Sequence, residues 1–343
     1  MEYFLNKKIN YLTESQNFIP MKIISTGVAL PPNKVTANEL DKILKKPLGY
    51  SLRYSGIEYR YLADDQLDQA TLAVEALNNA LQHNNISIES IDLLISASAI
   101  PIQALPYSAA HIINSSHLPS HIAGLDINVS CASFITALHT ASCLLNSNTY
   151  KRIAIVCSEL ASRGLDWNNE ESSMIFGDGA ACVILEKGDG TSGILSYLLE
   201  THTNGIELCQ IKAGGTKRNL KSGMMPSDFL FQMQSKSLFK LAATLIEPFF
   251  EKLLESSKLT LTDMNTIIPH QASHLSLEHM RRRLKIPKEI FVDIYRFRGN
   301  QIAASIPSAL HDAIQNNRLK PQQPTMLIGT AAGLTLAGMI LLP

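Results

Sequence analysis

Asp126-Ile-Asn-Val-Ser-Cys131-Ala-Ser-Phe-Ile-Thr-Ala-Leu-His-Thr-Ala-Ser-Cys-Leu-Leu145 reads as a buried strand that runs straight into a helix, with Cys131 at the junction. The spacing predicts a strand over 124–129 that ends at Ser130. After it Phe134, Ile135, Leu138, Ala141, Leu144 and Leu145 recur at the three- and four-residue intervals of a buried helix. A thiol at a helix N-terminus meets unpaired N–H groups and the positive end of the dipole, and both favour the reactive thiolate. Two readings of Cys131 stand on this stretch alone: a nucleophile, or a small buried side chain used for packing.

Two later stretches bear on that choice. Ile267-Ile-Pro-His-Gln-Ala-Ser273 sets His270 just past a short apolar strand, and Phe297-Arg-Gly-Asn-Gln-Ile-Ala-Ala-Ser-Ile-Pro-Ser-Ala-Leu310 sets Asn300 at the start of another helix. Taken singly, His270 reads equally well as a satisfied structural histidine and Asn300 as a helix cap. Taken together, a Cys, a His and an Asn at three strand-to-helix turns make a nucleophile with two hydrogen-bonding partners.

With Phe176-Gly-Asp-Gly-Ala-Ala-Cys-Val-Ile-Leu185 and Gly329-Thr-Ala-Ala-Gly-Leu-Thr-Leu-Ala-Gly338, these stretches form five ordered motifs. Their order and spacing resemble the β-ketoacyl-acyl-carrier-protein synthase III family of thiolase-like condensing enzymes, from about Met21 to the C-terminus. The resemblance implies a thiolase-like α/β fold, two duplicated βαβαβ halves in a five-layered α-β-α-β-α arrangement. It implies acyl transfer to Cys131, then decarboxylative Claisen condensation with malonyl-acyl carrier protein in fatty acid or related acyl-chain synthesis. His270 and Asn300 would hold the enolate, and the backbone N–H groups of Cys131 and Ala332 would form an oxyanion hole. Gly329-Thr-Ala-Ala-Gly lacks the second cysteine of thiolases, and no glutamate base of the hydroxymethylglutaryl-coenzyme A synthases has a counterpart.

The resemblance also reaches less central residues. The loop 100–108 would cross a homodimer interface, so that Leu105 borders the acyl pocket of the partner; ordinary core is the other reading of Leu105. Tyr50, Tyr54 and Glu170 stand where relatives carry the tryptophan and arginines that grip coenzyme A, and Trp167 and Arg163 are candidate replacements. The run Arg281, Arg282, Arg283 and Lys285 reads either as a solvated helix face or as a docking patch for an acidic acyl carrier protein. Acyl-coenzyme A and malonyl-acyl carrier protein are then substrates, with no cofactor or metal. A same-fold acyltransferase that spares the decarboxylation, or a non-catalytic carrier-protein partner, are the rival functions.

Composition agrees with a large soluble enzyme. The 343 residues are 45% hydrophobic with a formal net charge of zero, enough to bury a large core and no basis for nucleic acid as partner. The five cysteines, at 131, 143, 157, 182 and 209, show no CxxC pair, which points to a reducing, cytoplasmic setting. No apolar run approaches the ~18 residues of a membrane span. Residues 1–20 read as an N-terminal extension, 21–190 as the half with the nucleophile and 191–343 as the half with His270 and Asn300, the boundary falling in Gly188-Asp-Gly-Thr-Ser-Gly193. Helices are expected over 69–82 and, interrupted by Pro248, over 229–256; buried strands over 91–98 and 152–158; a cap at Thr36 or Asn38; and a purely architectural turn at Phe176-Gly-Asp-Gly179.

Overall fold

A computed structural model describes residues 18–343. The strands are β1 (Ile19–Pro20), β2 (Lys22–Ala29), β3 (Lys34–Thr36), β4 (Tyr59–Tyr61), β5 (Leu93–Ser96), β6 (Ala123–Asp126), β7 (Arg152–Glu159), β8 (Gly179–Glu186), β9 (Gly193–Thr201), β10 (Cys209–Gln210), β11 (Gln232–Met233), β12 (Thr266–Pro269), β13 (Thr325–Ala331) and β14 (Thr335–Leu342). One five-stranded sheet runs β2-β8-β7-β5-β6 and the other β1-β9-β14-β13-β12. β3 with β4 and β10 with β11 form short antiparallel pairs.

The helices are α1 (Ala37–Ile43), α2 (Tyr50–Ser55), α3 (Gln69–His83), α4 (Ser108–Ser115), α5 (Ser133–Asn146), α6 (Glu170–Ser173), α7 (Ser235–Ser257), α8 (His274–Arg283), α9 (Tyr295–Arg298) and α10 (Ser305–Gln315). α5 and α10 lie between the sheets and touch both, α3 and α4 cover the outer face of the first sheet, and α7 packs on the outer face of the second. This is the five-layered thiolase-like arrangement, and it follows from the two-residue period of the strands. In β7, Ile153, Ile155 and Cys157 face the central core while Ala154 and Val156 face α3; in β14, Ala337, Met339 and Leu341 face the central core while Leu336, Ile340 and Leu342 face α7. Strands buried on both faces leave no polar positions, which is why they read as continuous apolar runs.

The duplication that no repeat in the sequence reveals is visible in strand order. β9-β14-β13-β12 in the second sheet repeats β2-β8-β7-β5 of the first, with the same antiparallel, antiparallel, parallel succession of pairs. β8 ends at Glu186 and β9 begins at Gly193. Residues 1–17 of the extension lie outside the described residues, but Ile19 and Pro20 pair with Ile194 and Gly193 on the edge of the second sheet. No helix among the described residues is long and apolar enough to cross a membrane.

Several local expectations shift. Thr36 caps α1 in a reciprocal capping box with Glu39. α3 runs to His83 and β5 shortens to Leu93–Ser96. α7 starts only at Ser235 and continues through Pro248. Pro248 and Thr244 are both exposed, so the carbonyl that loses its N–H partner faces water and the helix survives. At the Phe176-Gly-Asp-Gly179 turn the glycine requirement comes from close approach: a Cβ on Gly177 would lie 2.1 Å from the Arg298 carbonyl oxygen.

Candidate active site

Cys131 stands at the head of the central layer on a turn held by its neighbours. β6 ends at Asp126, three residues before the expected end, and α5 begins at Ser133, so Cys131 lies ahead of the helix. Ser130 takes the left-handed conformation with φ 50°, a position that costs a residue with a side chain of order 1 kcal/mol and must be held by its surroundings. The buried Ser133 hydroxyl accepts the Val129 N–H at 2.9 Å and donates to the Ser130 carbonyl at 2.6 Å, while Asn128 accepts the Ser130 N–H and donates to the Ala99 carbonyl at 2.8 Å.

The backbone N–H groups of Ala332 and of Cys131 itself both act on the Cys131 sulfur. Ala332 lies in the turn between β13 and β14. Backbone N–H groups beside a nucleophile are the kind of donor an oxyanion hole uses when they reach the oxygen of the bound acyl group. Yet burial, with the Cys209 thiol and the Glu159 carboxylate nearby, pushes the Cys131 thiol well above the ordinary value. The thiolate expected from the helix terminus is opposed by the surroundings: α5 starts two residues past Cys131, and desolvation acts against the two N–H groups. Cys131 packs against an apolar cluster of Ala161, Leu165, Phe176, Phe231 and Ile302, in which the Phe176 and Phe231 rings stack at 4.5 Å.

His270 follows β12 directly; its N–H donates to the Ile328 carbonyl at 2.8 Å, and Gly329 beside it has no room for a Cβ, which would fall 2.8 Å from that of His270. The next residue, Gln271, is fully buried and fixes this turn, accepting from Ile294 and Tyr295 and donating to Pro269 and Val292. His270 is 4% exposed, its Nδ1 has no protein partner, and burial holds the imidazole down to about 4. It is neutral at pH 7 and suited to donate a hydrogen bond.

Because that value lies below the ordinary 6.5, the unfolded chain binds the extra proton first, and stability is lost as pH falls from about 6.5 to about 4. The loss should be on the order of 3 kcal/mol. Urea midpoints of wild type and His270→Gln across this window check it: the gap between the two proteins should change with pH, and a pH-independent gap contradicts the buried neutral imidazole.

Asn300, 6% exposed, is strapped to the Phe176 turn: its N–H donates to Ile175 at 2.8 Å and its carbonyl accepts from Gly177 at 3.0 Å. It precedes a short turn at Ile302–Ala304, and α10 begins only at Ser305. Its side-chain oxygen accepts from the Ile302 N–H at 2.8 Å, and Nδ2 reaches the Ala272 carbonyl at 3.2 Å, two residues past His270. The structure thus joins Cys131 to Ala332, Ala332 through β13 to the neighbour of His270, and Asn300 to the segment that follows His270.

The outer predictions fare differently. Leu105 is 83% exposed, so the core reading of it is wrong and it lines no pocket of its own chain. Three of the four basic residues are paired: Arg281 and Arg282 with Glu278, Arg283 with Glu247. Glu170 is engaged by Lys46 and, at 2.9 Å, by the Tyr50 hydroxyl; Tyr50 stacks on Tyr54 at 6.2 Å. Arg163 is turned to the Leu67 and Asp64 carbonyls, and Trp167 is 39% exposed. Sequence reasoning missed Glu159, Gln271, Cys209 and Phe231; only Gln271, next to His270, left a local signal.

Two stacked five-stranded sheets with a cysteine heading the shared helical layer define the thiolase-like class of acyl-transferring proteins. The 3-oxoacyl-[acyl-carrier-protein (ACP)] synthase III family model matches residues 125–203, and the model of that family's C-terminal part matches 254–342. A β-ketoacyl-[acyl-carrier-protein] synthase III of Bacillus cereus is 31% identical over 320 residues, 93% of this chain and 97% of its own. That of Wolbachia pipientis wMel is 32% identical over 93% of this chain and 98% of its own. The crystal structure of the Aquifex aeolicus 3-oxoacyl-[acyl-carrier-protein] synthase III superposes with a TM-score of 0.84 at 28% identity, over 94% of this chain and all of that one. The chain belongs to the β-ketoacyl-acyl-carrier-protein synthase III family.

Proposed function

We propose that this family member is a β-ketoacyl-acyl-carrier-protein synthase III that primes acyl chains in fatty acid or related synthesis. In the first step the Cys131 sulfur attacks an acyl-coenzyme A thioester; an enzyme thioester forms, and the thiol proton leaves on free coenzyme A. In the second, malonyl-acyl carrier protein loses carbon dioxide, and the enolate, held by N–H groups of neutral His270 and of Asn300, attacks the acyl-Cys131 carbonyl. The N–H groups of Cys131 and Ala332 stabilise the oxyanion in both steps. Collapse releases the β-ketoacyl carrier and returns the Cys131 thiol.

What supports this reading is the place of Cys131 at the head of the central layer, with the Ala332 and Cys131 N–H groups beside its sulfur, and the buried His270 at the end of β12, the strand paired with β13. A homodimer agrees with β6, an edge strand whose Ala123 and Leu125, with the following Ile127 and Val129, are all half-buried, and with the exposed Leu105. Carrier docking falls to Arg282 and Arg283, whose side chains are 75% and 56% exposed, and to Lys285; Arg281 is pinned. Unpaired cysteines and neutral charge agree with a cytosolic site.

The test is chromatography and mass spectrometry of products from acyl-coenzyme A and malonyl-acyl carrier protein. A β-ketoacyl carrier is expected, with KM for the malonyl carrier several-fold higher in Arg282→Glu/Arg283→Glu at unchanged kcat. Acyl transfer without carbon dioxide release would instead establish the plain acyltransferase.

A further inference from the structure

Glu159 is a buried carboxylate for which the reaction above has no use. It ends β7 with no exposed surface and, among the described residues, forms no ion pair. Burying an unpaired carboxylate is expensive unless backbone donors replace its water. Those donors come from two separate segments. The Ala99 N–H donates to Oε1 at 2.5 Å and the Ile100 N–H to Oε2 at 3.4 Å, while the Ala303 N–H, on the turn that follows Asn300 and packs on β7, also favours the charged form. The same Ala99 offers its carbonyl to Asn128 of the Cys131 turn, and the Ile100 carbonyl is held at 2.8 Å by Gln69. Ala99, Ile100 and Ile302 pack in the apolar cluster that receives Cys131. One side chain therefore sits where the segment supporting the nucleophile meets the segment presenting the Asn300 amide.

We infer that Glu159 is a positioning residue: its carboxylate ties the Ala99–Ile100 segment to the Ala303 turn and so fixes where Cys131 stands relative to Asn300. The inference rests on the condensing function proposed above. Only the ionised carboxylate is acceptor-only; a protonated oxygen would turn a donor toward N–H groups. Burial pushes Glu159 up to about 8, Cys131, Cys157 and Asp178 are the titratable groups coupled to it, and Arg60 lies on the Asp178 side. Ionisation should tighten the clamp, so wild-type kcat should rise through a limb near pH 8.

The test is steady-state condensation by wild type, Glu159→Gln and Glu159→Asp from pH 6 to 10, with Tm measured alongside. Glu159→Gln presents an NH₂ group to backbone donors. It should lower kcat by about 10²-fold, the scale of a misplacement near 1 Å, with KM within about twofold and the limb absent. Glu159→Asp keeps the charge on a shorter arm, so it should keep the limb at reduced kcat. Glu159→Gln with wild-type kcat and limb would overturn the inference, as would losses no larger than the unfolded fraction. If Glu159→Gln does not fold, Glu159→Asp decides, and loss of its limb or an unchanged kcat overturns the inference. Wild type that forms no β-ketoacyl product sinks the proposed function instead. Glu159 is then read by Cys131 alkylation at pH 9, expected to differ about threefold or more between wild type and Glu159→Gln; equal rates overturn it.

Discussion

Cys131→Ala should cut β-ketoacyl formation by about 10⁴-fold or more, the scale on which loss of a covalent nucleophile falls in acyl-transfer enzymes. No acyl adduct should appear on the protein. The substitution is clean because everything that shapes the turn is elsewhere: Ser133 and Asn128 hold Ser130 in its left-handed conformation, and the N–H groups of residues 131 and 332 are backbone. Removing one sulfur from the Phe176–Phe231 cluster should cost about 1 kcal/mol, and Tm follows that. Desolvation by the surrounding cluster pushes the half-buried Cys131 thiol up, so iodoacetamide alkylation of wild-type Cys131 should be slow at pH 7 and quicken as pH rises. Fast labelling at neutral pH would contradict a thiol raised by its apolar surroundings.

Asn300→Asp and His270→Ala should separate the two half-reactions. Asp at 300 keeps the oxygen that accepts from Ile302 but loses the N–H donor and adds negative charge where an enolate must form. His270→Ala removes the other donor and leaves Gly329 and Gln271 in place. Each should slow decarboxylation by about 10² to 10³-fold, the usual cost of a missing preorganised donor. Loading of Cys131 should survive in both, because the oxyanion donors proposed for it are the amides of 131 and 332. Rapid-quench measurement of acyl-enzyme and of carbon dioxide from the same samples checks this; equal loss of both would show that the His and Asn groups serve acylation as well.

What the sequence made legible is what rests on periodicity and local chemistry. α3, β7 and the Thr36 cap follow from apolar spacing and a capping box. The turns that carry Cys131, His270 and Asn300 were legible because the apolar runs flanking each are plain in the sequence. What it left dark depends on burial and on the partner segment. The helix N-terminus expected at Cys131 suggested a thiolate, but the cluster that desolvates it is assembled from residues 161, 165, 176, 231 and 302. The basic run reads either as a solvated helix face or as a docking patch, and the pairing of Arg283 is not readable because Glu247 lies on another helix, α7. Glu159 gave no signal, since its donors at 99, 100 and 303 are backbone atoms brought together only by the fold. The duplication survives as strand order and not as residue identity, because a buried strand asks only for apolar side chains of suitable size.

Intact-protein mass spectrometry in a single turnover is the most direct test. Enzyme acylated by acyl-coenzyme A, freed of excess donor and mixed with malonyl-acyl carrier protein, should lose the acyl mass from Cys131 as one carbon dioxide and one β-ketoacyl carrier appear. Acyl mass that stays on Cys131, or transfers with no carbon dioxide released, would contradict decarboxylative condensation at this site.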